Sequence, residues 1–145
     1  MHKPNVTVAA IVSYKNKFLL VKERDKFTQR ICYNQPAGHL EKDETLIDAA
    51  QRELFEETGL ILQATSLLGI YNFHAPNGVH YLRFCFNFLL TTEPKFTSPQ
   101  DQDIISADWF SLDEIQHLPL RSPLVLKCIE DSLIKPHISL DFITD

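Results

Sequence analysis

The sequence predicts one α+β domain built on a mixed β-sheet, and three observations carry that expectation. Apolar, β-branched runs of strand length recur along the chain, separated by polar or Pro/Gly-containing turns. One strongly helical segment interrupts them at residues 45–58, and two shorter helical segments close the chain. The length of 145 residues, with 44% hydrophobic and 23% charged side chains, suits a single sizeable core and shows no repeat, linker or low-complexity tract.

The elements follow in order. Val6 to Val12 and Phe18 to Val21 read as a hairpin about the turn Tyr14-Lys15-Asn16-Lys17. Glu23 to Arg30 is charged and reads as a loop or a loose strand end. Ile31 to Gln35 returns to strand composition and stops at Pro36. From Thr45 to Thr58, Ile47, Ala50 and Leu54 fall at helical spacing, and Gly59 supplies the stop. Leu67 to Phe73 and Tyr81 to Leu90 are strands flanking a Pro-Asn-Gly turn. Residues 91–103 form a loop, Ile104 to Phe110 a short strand, and Leu112 to Leu118 and Pro123 to Ile134 two helices. The residues after about 126 have no assignable role beyond that last helix.

Charge is distributed unevenly. Residues 38–60 hold seven acids (Glu41, Asp43, Glu44, Asp48, Glu53, Glu56, Glu57) against Lys42 and Arg52, while the rest of the chain is balanced. The formal net charge is −5 and no Lys/Arg cluster appears, which argues against a nucleic-acid partner. Cys32, Cys85 and Cys128 are odd in number, widely spaced and set among apolar neighbours, so they read as buried hydrophobes in a reducing compartment. With no leader-like N-terminus and no 18-residue apolar run, a cytoplasmic protein with no membrane partner is expected. Monomer and homodimer stay open.

Glu53, Glu56 and Glu57 stand at i, i+3 and i+4, so a helix crowds three carboxylates onto one face. Their mutual repulsion and their place near a helix C-terminus both disfavour the arrangement. A hard divalent cation, Mg²⁺ or alternatively Mn²⁺, turns that repulsion into a binding site. Gly38, after Pro36-Ala37, lets the backbone turn and approach a ligand closely, and a carbonyl of that turn can join the carboxylates. Arg52 lies beside Glu53 and one turn before Glu56, where it can orient a carboxylate.

These residues resemble the signature of the Nudix family, G-x5-E-x7-R-E-U-x-E-E-x-G-U. Gly38, Glu44, Arg52, Glu53, Leu54, Glu56, Glu57, Gly59 and Leu60 fill all nine of its defined positions. KPNVTVAAIV, NQPAGHLE, YLRFCF and LRSPLV also look like a bacterial phosphatase branch of that family. The resemblance implies a Nudix fold, a mixed sheet sandwiched between helices. It also implies Mg²⁺-dependent hydrolysis of nucleoside tri- and diphosphates, and of small organic diphosphates such as hydroxymethylpyrimidine diphosphate.

By the same resemblance Glu53, Glu56, Glu57 and the Ala37 carbonyl would hold the metal, with Glu53 or Glu56 near the attacking water. Glu44 and Arg52 would position those carboxylates. An extra acid would come from the Gln100–Asp103 loop, Asp101 or Asp103. Pro36-Ala37-Gly38 stands where the family commonly has Pro-Gly-Gly, and Gly38 and the following His39 would face phosphate. Tyr33, Phe73 and Tyr81 could stack on a base, and His74, His80 and Arg83 could reach phosphates. Strand aromatics are more often core, and loop acids more often only solvated. Two other readings stand beside this one: a pyrophosphohydrolase of ADP-ribose or dinucleoside polyphosphates, and a non-enzymatic nucleotide-sensing module.

Overall fold

The computed structural model describes residues 1–145. Seven strands and three helices follow one another as β1 (Asn5–Tyr14), β2 (Lys17–Arg24), β3 (Ile31–Asn34), β4 (Ala37–His39), α1 (Leu46–Thr58), β5 (Ser66–His74), β6 (His80–Leu89), β7 (Ile104–Ser111), α2 (Leu112–Ile115) and α3 (Pro123–Ile134), with a 3-10 turn at Leu140–Phe142. The sheet is mixed. Its main path runs β3-β2-β1-β6-β5, with β4 attached to β1 and β7 to β2. Only β1 and β6 run parallel; the other pairs are antiparallel.

Alternation along β1 explains the layering. Val8, Ala10 and Val12 join Leu19, Val21, Phe86 and Phe88 beneath Ala49, Ala50 and Leu54 of α1. Ala9 and Ile11 face the other way, joining Phe18, Leu20 and Cys85 beneath Ile115, Val125, Cys128 and Ile129. A central strand buried on both faces must be apolar throughout, which is why residues 8–12 read as a continuous run. The β1–β2 turn has positive φ at Lys15 and Asn16, matching the twist a two-residue hairpin needs.

Helix α1 is bounded as the sequence implies. The Thr45 hydroxyl accepts from the Asp48 N–H at 3.0 Å, and Gly59 closes the helix at φ 76°. Gly59 is required twice over, because a Cβ there would lie 2.4 Å from the Ser98 carbonyl oxygen.

Three differences from the sequence expectation have local causes. Ala37–His39 is a short strand and not only a turn, because β1 offers it a partner: Ala9 pairs with Ala37 and Thr7 with His39. No β-branched residue announces it. Helix α2 ends at Ile115 and not Leu118, since Pro119 disfavours helical backbone at the residue before it. The C-terminal segment, without assignment from sequence, bridges Ile138 to Leu67 and lays Leu140 and Ile143 against the α1-side core. All three cysteines are free and buried.

Candidate active site

The C-terminal half of α1 lies against β4, and the contact is tight because Gly38 has no side chain. A Cβ on Gly38 would fall 2.1 Å from Glu53 Oε1 and 2.6 Å from Oε2. The carboxylate of Glu53 therefore occupies the space that any other residue would fill.

Arg52 organises the acids around it. Its Nε and Nη2 donate to Glu44 Oε2 and Oε1 at 2.6 and 3.0 Å, a bidentate fork. Its Nη1 donates to Glu53 at 2.9 Å and Glu56 at 3.2 Å, and Nη2 also donates to the His39 carbonyl at 3.1 Å. Glu44 in turn accepts from the Glu41 N–H. The Arg52 hydrogen bond holds the Glu44 carboxyl below its ordinary value, so Glu44 is a fixed negative strut.

Glu57 is treated differently. It is only 7% exposed, and its one hydrogen-bond partner is the Ala37 N–H, at 2.9 Å. Burial pushes its carboxyl up to about 9. The Ala37 N–H opposes that shift, whereas Glu23, Glu53 and Asp101 reinforce it. Burial also raises Glu53, against the pull of Arg52. Glu56 is more open, with 43% of its side chain exposed.

The backbone carbonyl of Glu56 accepts from the N–H groups of Gln100 and Asp101 at 2.8 and 2.9 Å. That tether brings the loop to the end of α1 and sets Asp101 among the acids felt by Glu57. Asp103, the other loop acid, turns away to Lys26 at 3.2 Å. It also donates its N–H to Asp101 Oδ1, which steadies the loop.

The three glutamates of α1 do not converge as a ready three-ligand set. Arg52 draws Glu53 and Glu56 to itself, while Glu57 is held by β4. The donor set nevertheless fits a hard divalent cation: every side-chain donor is a carboxylate oxygen. The most buried of them is destabilised by three acid neighbours with no positive group bonded to it. These residues fit such an ion.

Beside the acids runs a cleft of about 500 Å³, a size suited to a small ligand. Gly38, His39, Phe73, Tyr81, Arg83 and Arg121 are among its walls. Of the aromatics singled out in the sequence, Phe73 and Tyr81 reach it. Tyr33 does not line it; it packs edge-on against Phe110 at 5.5 Å, within the α3-side core. His74 and His80 stack on each other at 4.2 Å, and His80 also stacks on His2, away from the cleft walls.

Two residues that sequence reasoning passed over belong here. Glu23 lines the cleft, and burial raises its carboxyl although Arg121 pairs with it at 3.1 Å. Arg121 also reaches Asp25 at 3.2 Å. The signal for Glu23 was available: Leu19, Val21 and Glu23 keep the period of two that marks one face of a strand. Arg121 offered no such pattern.

The model of the NUDIX domain matches residues 1–128. "Phosphatase NudJ" of Escherichia coli strain K12 is 45% identical over 130 residues, covering 89% of this chain and 83% of the relative. Among solved structures, a NUDIX hydrolase from Nitrosomonas europaea superposes with a TM-score of 0.88 at 43% identity, over 99% of this chain and 97% of that one. The NUDIX domain of Shewanella oneidensis NrtR, solved with ADP ribose, shares the fold with a TM-score of 0.76 at 21% identity, over 92% and 88% of the two chains.

Proposed function

The chain belongs to the Nudix family, and from that premise we propose that this hydrolase acts, with Mg²⁺, on nucleoside tri- and diphosphates and on small organic diphosphates such as hydroxymethylpyrimidine diphosphate, releasing phosphate. That it is a Nudix hydrolase acting on diphosphate bonds follows from the family match and the 45% identical phosphatase. The observation that carries the finer reading is the Arg52-centred network. It presents Glu53 and Glu56 to the β4 turn while Glu57 stays buried among acids without a cationic partner.

In this reading Glu53, Glu56, Glu57 and the Ala37 carbonyl hold the cation, and Mn²⁺ can take the place of Mg²⁺. A bound divalent ion supplies Lewis acidity toward phosphate oxygens and water. The chain's own residues do the rest. Glu44 and Arg52 fix where Glu53 and Glu56 point. Asp101, tethered through its N–H to the end of α1, is the acid available to take a proton beside Glu57. Gly38 keeps the β4 backbone close, His39 and Arg83 border the phosphate path, and Phe73 faces the organic part of the substrate across the cleft. Tyr33 is left out of that role by its core packing.

No helix is long and apolar enough to cross a membrane. Separately, three free cysteines suit a reducing compartment, which favours a cytoplasmic protein working on small molecules.

The test is product analysis with Mg²⁺ over GTP, CTP, GDP, ADP-ribose and hydroxymethylpyrimidine diphosphate. Inorganic phosphate from the nucleotides or the pyrimidine diphosphate is the expected result. A nucleoside monophosphate from ADP-ribose as the main product would replace this reading with a pyrophosphohydrolase of linked diphosphates. Tight nucleotide binding without turnover would replace it with a sensing module.

Gly38→Ala tests the β4–α1 contact on its own. The added methyl must displace the Glu53 carboxylate, so turnover falls by about tenfold or more while the fold persists. The check is kcat beside Tm. Unchanged kcat would mean that the position of Glu53 against β4 does not matter to the reaction.

A further inference from the structure

One buried cation in the molecule lacks an acidic partner. Arg83, on β6, is 7% exposed and lines the cleft, yet no carboxylate pairs with it. Its Nη2 donates to the side-chain oxygen of Gln35 at 3.0 Å, and its buried Nε has no partner at all. A guanidinium kept from water with only a neutral amide to bond is costly unless an anion completes it.

Every nearby acid is engaged elsewhere. Glu23 and Asp25, the acids on the far wall of the cleft, are held by Arg121. Asp131 on α3 takes the Tyr71 hydroxyl together with Lys127 and Lys135. The thiols beside Arg83 bond each other, Cys85 Sγ to Cys128 Sγ at 3.5 Å; burial pushes Cys85 well up, while Cys128 is drawn down by Cys85 and, more weakly, by Arg83. Meanwhile Arg83 is held rigidly. Gln35, 1% exposed, donates its own amide N–H to the Val125 carbonyl at 2.7 Å, tying Arg83 to the first turn of α3. Ser122, Pro123 and Leu124, which open that helix, line the same cleft. The N-terminus of a helix adds partial positive charge, although Pro123 has no N–H and those of Leu124 and Val125 are taken by Ser122.

The location is informative. Thr7 on β1 pairs with His39 on one side and with Arg83 on the other, so Arg83 stands two strands from the turn that meets Glu53, roughly 10 Å in backbone terms. Its hydrogen bond to Gln35 brings the guanidinium back toward Ala37, two residues further on.

We propose that Arg83, clamped by Gln35 and set by the opening turn of α3, seats a phosphate group of the substrate, separate from the groups gathered at the acids of α1. This rests on the reading of the cleft as the substrate site. On that reading one phosphate of the chain is oriented by Arg83 while another faces Glu53, Glu56 and Glu57. Arg83 is thus a specificity residue for the length and charge of the phosphate chain.

The probe is inorganic phosphate and diphosphate, titrated into the full-length protein in EDTA, so that neither turnover nor a divalent ion takes part. The wild-type protein is expected to bind both, read by calorimetry and by a rise in Tm. Arg83→Met is expected to weaken that binding by about tenfold or more, the share of a charge-assisted hydrogen bond. The same variant should raise KM for a diphosphate substrate by a similar factor and change kcat less. Arg83→Lys, which keeps the charge without the fork, should retain part of the affinity. Absence of phosphate binding by the wild type would overturn the proposal, as would equal binding by Arg83→Met. So would loss of inorganic phosphate binding with KM unchanged, since that result assigns the seat to free phosphate only. Because the titration needs no catalysis, it can succeed where the substrate panel fails, and the reverse.

Discussion

Turnover by the Glu57→Gln protein falls at least about 10²-fold while the fold is kept. The substitution is nearly isosteric, and its amide oxygen can still accept from the Ala37 N–H, so it removes charge and little else. The same variant carries a second signature in the metal-free protein. Burial sets the folded-state carboxyl at about 9, against an ordinary value of 4.5. Between those two values the folded chain binds a proton more tightly than the unfolded one. Glu57 therefore leaves folding undisturbed below about pH 4.5, and destabilises it progressively as pH rises through 9. In EDTA at pH 8 the Gln variant should melt a few degrees above the wild type, with a smaller gap at pH 6. Loss of activity joined to gain of stability is what a strained, charge-rich site gives. Near wild-type kcat in this variant would remove the glutamate clamp from the mechanism.

Arg52→Ala has the largest expected effect on stability. One guanidinium holds Glu44 by a fork, Glu53 and Glu56 by single bonds, and the His39 carbonyl besides. Removing it leaves Glu44 and Glu53, each with 14% of its side chain exposed, facing one another without a cation. Orphaning buried charges costs about 3–5 kcal/mol; the network is partly open to solvent, so about 2–4 kcal/mol is expected here. Turnover should drop about tenfold or more, because Glu53 and Glu56 lose their direction. Arg52→Lys restores charge but cannot make the fork, so it should recover less than half of the lost stability. Urea unfolding at fixed pH measures both. A change under about 0.5 kcal/mol for the alanine variant would show that the acids hold their places without Arg52.

What sequence reasoning could reach divides by range. Helix α1 announced itself through Thr45, Gly59 and the spacing of Ile47, Ala50 and Leu54, all local signals, and its bounds came out within a residue. The pattern of acids on that helix marked the site for the same reason, and the fold class followed from the family resemblance and from strand-like runs. The rest depends on residues far apart. Strand β4 exists because β1 is beside it. Tyr33 and Asn34 are neighbours in β3, yet only Asn34 lines the cleft, a choice made by which face of β3 meets the α3-side core. Asp101 and Asp103 were equivalent in sequence, and the Glu56 carbonyl and Lys26 separate them. Arg83 could be named as a phosphate contact, but its isolation from every acid is a property of the packed molecule alone.

The parallel pairing of β1 with β6 has a kinetic consequence. Asn5 meets Tyr81 and Ser13 meets Leu89, so each contact closes a loop of about 76 residues. The β1–β2 and β5–β6 hairpins and helix α1 are short-range and can form early; long-range pairings form late and slowly. Strand β4, which delivers the Ala37 N–H to Glu57 and Gly38 to Glu53, hangs from the far side of that same β1. The contacts that gather the carboxylates are shorter in range, Ala9 to Ala37 and Ala37 to Glu57, so they do not wait on the β1–β6 closure.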